Sequence, residues 1–155
     1  MEYRVSGLTA SPESAAITER LLDRLPAWFG IPEANAEYIA AAGRLPGFVA
    51  KSGVAAVGIL LYHRHYTESA EVHLLAVDPE WHRRGVGGAL VSATEEALRG
   101  DGCRLLQVKT LGAAHPDRGY ADTRKFYRAA GFLPLEETRD LWPGTPCLIM
   151  VKALR

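Results

Sequence analysis

A glycine-rich turn beside two arginines is the part of the sequence whose residue types are best suited to bind a ligand. The turn follows an apolar stretch that ends at Val77 and precedes an amphipathic stretch that runs to residue 99. If these are a strand and a helix, unpaired backbone N–H groups and the positive end of the helix dipole meet at the turn, which favours a phosphate group. Glycines leave the backbone open to that ligand, and arginines add charge-assisted hydrogen bonds. The turn consists of Arg83, Arg84, Gly85, Val86, Gly87 and Gly88.

The same glycines have a second interpretation, which the motif alone leaves open. Gly85 and Gly87 could serve only to let a helix pack closely on a strand. Two known phosphate motifs are excluded: no Gly-Lys-Ser/Thr follows, as a P-loop would require, and Leu90 stands where a dinucleotide fingerprint has its third glycine. A phosphate site and a packing role therefore both remain.

Composition limits the class of protein. The chain has 155 residues, of which 48% are hydrophobic and 23% charged, and its formal net charge is zero. These values predict one globular domain over residues 1–155, with neither nucleic acid nor membrane as partner. No apolar run approaches the roughly 20 residues that cross a bilayer, and no secretory signal is recognisable. Cys103 and Cys147 are the only cysteines, which are too few for a disulfide framework. The simplest interpretation is a reducing compartment, so we expect a cytoplasmic location.

The first quarter of the chain predicts one strand and two helices. Residues 3–8 alternate like a short strand. Ser11 and Pro12 are typical of the N-cap and first position of a helix that ends before Pro26. A second helix is predicted over residues 32–42.

The remainder predicts six strands and two helices. Residues 86–99 form a helix whose buried stripe is expected to be Val86, Leu90, Ala93 and Ala97, and a last helix covers residues 120–131. Together these elements predict an α/β (α+β) fold, with a mixed central sheet of about seven strands flanked by about four helices. The six strands are residues 48–53, 54–65, 70–77, 103–111, 132–137 and 146–154.

Two signatures in this order resemble the GNAT superfamily of N-acetyltransferases. Residues 82–90, HRRGVGGAL, are similar to its motif A, Gln/Arg-x-x-Gly-x-Gly/Ala, with His82 where the family usually has Gln or Arg. Residues 123–132, TRKFYRAAGF, are similar to its second signature, Ala-x-x-Phe-Tyr-x-x-x-Gly-Phe. Thr123 replaces the common Ala, and Tyr120 stands where Asn is common. The resemblance is specific for the fold and for acyl-CoA, but not for the acceptor.

The resemblance implies where acetyl-CoA binds. Its pantetheine arm is expected to pair with the backbone of Leu75, Ala76 and Val77, in a gap between strands 70–77 and 103–111. Its diphosphate is expected on the N–H groups of residues 83 to 88. A backbone N–H near Leu75 or Ala76 is expected to hold the oxyanion that forms at the thioester. No metal is implied.

Two side chains are the candidate catalytic groups. Tyr127 is expected to turn away from the core, in contrast to Phe126, and to protonate the departing thiolate; the alternative is a half-buried tyrosine with a backbone partner. Glu71 lies eleven residues before the glycine motif, a spacing similar to that of the base glutamate in histone-acetylating members. As a base it is expected to have a raised pKa; alternatively it pairs with His63 or His65 at the surface.

The acceptor and the partners are less defined. His63, His65 and His73 could suggest a metal site, but the family interpretation needs none, and His73 could instead relay a proton. Aromatic residues that could line an amine pocket or simply pack are Trp28, Phe29, Tyr62, Tyr66 and Trp142. The sequence thus predicts acetyl transfer from acetyl-CoA to a primary amine of a small molecule or peptide, by direct attack in a ternary complex. A non-catalytic acyl-CoA-binding module is the alternative, and a homodimer is compatible with either.

Overall fold

The computed structural model describes residues 2–112, 118–142 and 144–155. Over these residues the chain forms seven strands and four α-helices, and the strands build one mixed sheet in the order β1-β2-β3-β4-β5-β7-β6. The predicted single-domain α/β fold is confirmed. The strands are β1 (Arg4–Leu8), β2 (Gly47–Ser52), β3 (Ala55–Arg64), β4 (Ser69–Val77), β5 (Leu105–Leu111), β6 (Leu133–Trp142) and β7 (Thr145–Ala153). The helices are α1 (Pro12–Asp23), α2 (Pro32–Ala42), α3 (Val86–Gly100) and α4 (Arg118–Ala129), with a short 3-10 helix at Pro79–Trp81.

Within the domain, contacts group the residues into two compact units. The first unit comprises Met1–His63 and His73–Ala97, and the second comprises Arg64–Val72 and Leu98–Arg155. The glycine-rich turn and the end of β4 belong to the first unit. Glu71 and Tyr127 belong to the second.

The first unit is built on helix α1 and strands β1 to β3. Ser11 caps α1, since its hydroxyl accepts a hydrogen bond from the Ser14 N–H at 3.1 Å, and Pro12 begins the helix as predicted. Strand β2 pairs antiparallel with both β1 and β3. A hydrophobic cluster with every member less than a tenth exposed forms the core, and it includes Leu21, Leu22, Val49, Ile59, Leu61, Leu74 and Ala76.

Helix α3 begins at Val86 as predicted, but half of its expected buried stripe is wrong. Val86 and Leu90 are buried, whereas Ala93 is half-buried and Ala97 is exposed. Thr94, four residues after Leu90, takes the buried position because its hydroxyl donates to the Leu90 carbonyl at 2.9 Å. A threonine satisfied in this way packs like an apolar residue, which a stripe drawn only through apolar residues misses.

The second unit combines helix α4 with strands β5, β6 and β7. Strand β7 pairs antiparallel with β5 on one side and β6 on the other. Residues Ser69–Val72 of β4 pair parallel with Leu105–Val108 of β5. Strand β6 runs to Trp142, five residues beyond the predicted end, and none of its residues is buried. Because no face of β6 enters the core, its sequence lacks the alternation that marks a strand.

Candidate functional site

The glycine-rich turn of the first unit has the backbone geometry of an anion site. Arg83 has φ 62° and Gly85 has φ 83°, so two of three consecutive residues adopt the left-handed conformation. That conformation costs a residue with a side chain, and in proteins such strain concentrates at ligand sites. Turns of this kind direct successive N–H groups into one concavity, and helix α3 begins immediately afterwards at Val86. This backbone geometry is compatible with phosphate binding, which stays a prediction.

The contacts of the glycines bear on the packing alternative. A Cβ added to Gly88 would meet no atom within 4 Å, and one added to Gly85 would meet only the Tyr3 hydroxyl at 3.5 Å. Close packing of α3 depends instead on Gly58 of β3, where an added Cβ would lie 3.0 Å from Val86 Cγ1 and 3.1 Å from Leu90 Cδ1. Packing therefore does not require glycine at position 85 or 88, the φ of 83° accounts for glycine at 85, and the open space around both suits a ligand.

The segment between β4 and the turn is held in place by side chains that sequence reasoning missed. The chain does not pass directly from strand to turn, because Asp78 caps the intervening 3-10 helix by accepting from the Glu80 N–H at 2.9 Å. Arg24, at the end of α1, contacts Asp78 Oδ2 through Nε at 2.6 Å and Glu80 Oε2 through Nη2 at 3.2 Å. These ion pairs join residues more than fifty positions apart, so no local sequence pattern could have indicated them.

Aromatic rings complete this segment. Trp81 is buried and packs edge-on against Tyr3 at 6.1 Å, and the Arg84 guanidinium lies over its ring, 5.2 Å from the centroid. This cation–π contact restrains the Arg84 side chain, and it does so without a hydrogen bond from Arg84 to a carboxylate. Arg83 and Arg84 are both exposed. Their exposure fits the predicted role of adding positive charge beside the turn.

The end of β4 alternates between half-buried and buried residues. Leu75 and Val77 are half-buried, while Ala76 is 2% exposed and faces the core of the first unit. The Val77 carbonyl accepts a hydrogen bond from His82 Nε2 at 2.8 Å. Beyond Val77 the chain stays in register with β3, because the Asp78 N–H donates to the Val57 carbonyl at 2.8 Å. The three residues predicted to contact the pantetheine arm thus lie at a firmly anchored strand end.

Glu71 in the second unit is held by two cationic or ionisable partners. Lys109 Nζ lies 3.0 Å from both carboxylate oxygens, and His65 Nε2 lies 2.8 Å from Oε1. Glu71 pairs with Gln107 across β4 and β5, so Lys109 is its diagonal neighbour on the next strand. The Glu71 side chain is 12% exposed, and the other two are about a third exposed.

The expected rise in the pKa of Glu71 is wrong. Burial does act to raise the pKa of this carboxyl, but the hydrogen bonds and charges of His65 and Lys109 outweigh it and lower the pKa below its usual value. The alternative pairing with His65 is present in the structure. Lys109 was missed because only the parallel pairing of β4 and β5 brings it to Glu71. The expectation considered the burial of Glu71 but not its charged neighbours, so it gave the wrong direction for the shift in its pKa.

Tyr127 is the buried member of its aromatic pair, contrary to the expectation. Tyr127 is 4% exposed, while Phe126 is half-buried. Its ring packs edge-on against Phe126 at 5.1 Å and Phe132 at 5.4 Å. The expectation assigned the core position to the residue without a polar atom, but a phenol with a satisfied hydroxyl can be buried as readily. The packing fixes the ring firmly, which a positioned acid requires.

The remaining candidate residues fall into separate surroundings. His73 packs edge-on against Tyr38 at 5.6 Å, whereas His65 contacts Glu71. In the described ranges no group of three or more His, Cys, Asp or Glu side chains is arranged to hold a metal ion.

None of the described helices has the length and apolar content to span a bilayer. Cys103 and Cys147 are buried free thiols, and burial raises the pKa of Cys147.

The aromatic residues proposed for an acceptor pocket also differ in their contacts. Trp28 packs edge-on against His82 at 5.5 Å, and Phe29 packs edge-on against Tyr38 at 5.7 Å. Tyr62 stacks on Phe48, Tyr66 is 73% exposed, and Trp142 is half-buried at the end of β6. Trp28 and Phe29 are adjacent on the segment between α1 and α2.

Known protein families identify the class of this fold. The sequence model described as an acetyltransferase (GNAT) domain matches residues 44–134, more than half of the 155 residues. The chain belongs to the GNAT acetyltransferase family. It is therefore an acetyltransferase, and the resemblance carried by the two signatures is confirmed. None of the curated protein sequences resembles it closely enough to count as a match.

Solved GNAT structures have the same fold over nearly the whole chain. A protein described as a GNAT-family acetyltransferase from Desulfovibrio desulfuricans has TM-score 0.84 and 22% identity, covering 98% of this chain and 100% of its own. The ribosomal-protein-S18-alanine N-acetyltransferase from Escherichia coli has TM-score 0.79 and 18% identity, over 99% and 94%. A GNAT acetyltransferase from Elizabethkingia anophelis with acetyl-CoA bound has TM-score 0.71 and 16% identity, over 98% of each chain. At these identities the likeness establishes the fold alone.

Proposed function

We propose that the chain transfers an acetyl group from acetyl-CoA to a primary amine by direct attack of the amine on the thioester in a ternary complex. The observation that carries the proposal is the left-handed turn at Arg83 and Gly85, placed at the start of α3 in a GNAT fold. The N–H groups of residues 83 to 88 would hold the diphosphate, and Arg83 and Arg84 would add positive charge. The pantetheine arm would pair with the backbone of Leu75, Ala76 and Val77.

Tyr127 is the proposed general acid. When the tetrahedral intermediate collapses, the carbon–sulfur bond breaks and the phenol transfers its proton to the departing thiolate. A ring packed against Phe126 and Phe132 holds its hydroxyl in one place, which lowers the entropic cost of reaching the sulfur. The deprotonated phenol then regains a proton from solvent.

Glu71 is the proposed proton acceptor, with a restriction set by its partners. Its lowered pKa keeps the carboxylate ionised at neutral pH, so it can accept a proton, but it also makes the carboxylate a weak base. A water chain through His73 is the second route for the proton. Glu71→Gln separates the two: a large fall in kcat assigns the proton to Glu71, and an unchanged kcat leaves the route through His73.

The contacts of Glu71 also bear on whether this carboxylate takes part in the transfer at all. A carboxylate whose two oxygens both contact Lys109 could be purely structural. The experiment that decides is thiol release from acetyl-CoA in the presence of aminoglycosides, polyamines, amino acids and peptides with free N-termini. Thiol release that depends on one of these amines supports the transferase. Tight acetyl-CoA binding without release in the presence of any of these amines would contradict the proposed transfer to a primary amine.

The proposed setting is cytoplasmic, with an amine-bearing small molecule or peptide as partner, no nucleic acid or membrane partner, and no metal required. Cys103 and Cys147 are both free thiols, as a reducing compartment would keep them. A homodimer is compatible with the proposal.

A further inference from the structure

The ring of His82 closes a short loop between the two parts of the proposed cofactor site. Val77 ends β4, and His82 immediately precedes the left-handed Arg83. His82 Nε2 lies 2.8 Å from the Val77 carbonyl oxygen, five residues back. A carbonyl only accepts, so Nε2 carries a hydrogen and donates to it. One side chain therefore connects the strand end to the beginning of the turn.

The backbone of this loop adds little that could replace the His82 bond. The Trp81 N–H donates to the Asp78 carbonyl at 2.8 Å, and the His82 N–H donates to the Pro79 carbonyl at 3.3 Å. These bonds shape the 3-10 helix, but neither involves the Val77 carbonyl. The peptide plane after Val77 is fixed on its N–H side, where Asp78 donates to Val57 at 2.8 Å, and on its carbonyl side by His82.

A purely packing role for His82 is the competing explanation. Its ring lies edge-on to Trp28, with the centroids 5.5 Å apart. Any flat side chain could make that contact, whereas only a side chain with an N–H or O–H group can donate to Val77. The two explanations therefore differ in whether the donor or the ring is what the site needs.

We infer that His82 is a positioning residue for acetyl-CoA: its Nε2–H holds the Val77 carbonyl so that the strand end and the diphosphate turn keep one relative alignment. This inference rests on the proposed function. A ligand that contacts both parts binds tightly only if they are already aligned, because otherwise binding must first order them. Removing the donor should thus weaken acetyl-CoA binding without removing any group that touches the ligand.

The test uses two substitutions of similar length. His82→Gln keeps an N–H donor, and His82→Met lacks one. Calorimetric titration of the full chain with acetyl-CoA should show Kd raised about 5- to 30-fold in His82→Met, the loss expected for one hydrogen bond, with most of that affinity recovered in His82→Gln. His82→Phe, which keeps a flat ring beside Trp28, should be as weak as His82→Met. His63→Met serves as control, because His63 is exposed and lies in neither part of the proposed site.

The outcomes separate the inference from the function on which it rests. Unchanged affinity in folded His82→Met and His82→Phe would overturn the inference while leaving acetyl-CoA binding intact. Equal weakening in Gln and Met variants, with normal affinity in His82→Phe, would assign His82 to packing and overturn it as well. A wild-type chain that does not bind acetyl-CoA would contradict the proposed function itself. Thermal unfolding of each variant shows whether it folds. If the His82→Met variant does not fold, the acetyl-CoA affinities of His82→Gln and His82→Phe decide between a donor role and a packing role.

Discussion

The turn at residues 83–88 and the cluster around Glu71 are built by different means. The turn uses backbone N–H groups of consecutive residues, with φ 62° at Arg83 and φ 83° at Gly85. The cluster uses side chains of His65, Glu71 and Lys109, which the parallel pairing of β4 and β5 and the connection between β3 and β4 bring together. A backbone site should be sensitive to steric bulk and insensitive to pH, whereas a carboxylate with two ionisable partners should respond to both charge and pH. Substitutions in the two regions should therefore have different effects.

The largest expected effect is at the turn. Gly87→Glu should abolish detectable acetyl-CoA binding, because it places bulk and negative charge where the diphosphate is proposed to lie. Calorimetric titration measures the loss. Gly100→Glu at the other end of α3 is the matched control and should bind normally, since an added Cβ there meets no atom within 4 Å. Retained affinity in Gly87→Glu would remove the turn from the cofactor site.

The next effect concerns the thiolate. Tyr127→Phe should lower kcat about 10- to 1000-fold, the range of a lost general acid, while affinity for acetyl-CoA changes little. Steady-state kinetics with an accepted amine gives kcat, and titration gives the affinity. Tyr66→Phe is the control, because that ring is 73% exposed. An unaltered kcat in Tyr127→Phe would exclude Tyr127 from the chemistry.

A smaller effect is expected in the Glu71 cluster. Lys109→Met leaves a largely buried carboxylate with one partner fewer, so the pKa of Glu71 should rise and the free energy of unfolding at pH 7 should fall by about 1–3 kcal/mol. Urea unfolding at pH 7 gives the second quantity. Lys51→Met, which breaks the exposed contact with Glu13 at 3.6 Å, should cost well under 1 kcal/mol. Equal effects of the two substitutions would show that the cluster is no more than a surface pair.

The smallest effect is the pH dependence of the same cluster. Because the pKa of Glu71 is lower in the folded chain than in the unfolded one, its ionisation stabilises the fold above the unfolded value near 4.5, and this contribution is lost as pH falls through the folded pKa. The stability difference between wild type and Glu71→Gln should therefore shrink on acidification below about pH 4.5. A difference that grows on acidification would contradict the direction of the shift.

The contrast also explains how much the sequence could predict. Features set by neighbouring residues were recoverable: the Ser11 cap, the strand-to-helix turn at Gly85, and the start of α3 at Val86 all agree with the structure. The Glu71 partners were only half recoverable. His65 lies six residues away and was one of two pairing options, whereas Lys109 lies 38 residues away and depends on strand pairing.

Burial was the least predictable property. Tyr127 and Thr94 are buried polar residues, and both were misjudged because the choice of buried position followed side-chain polarity. A hydroxyl satisfied by a nearby carbonyl, as in Thr94 with Leu90, removes the cost on which that choice relied. The His82 bond to Val77 was missed because the motif comparison considered only which residue type stands at position 82, and not what its side chain could contact.

The most direct test of the central claim is a crystal structure of the chain soaked with coenzyme A. The account predicts that the diphosphate accepts hydrogen bonds from the backbone N–H groups of residues 83 to 88 and that the pantetheine arm follows Leu75, Ala76 and Val77. Coenzyme A bound elsewhere, or a turn occupied by the protein's own side chains at saturating ligand, would contradict it.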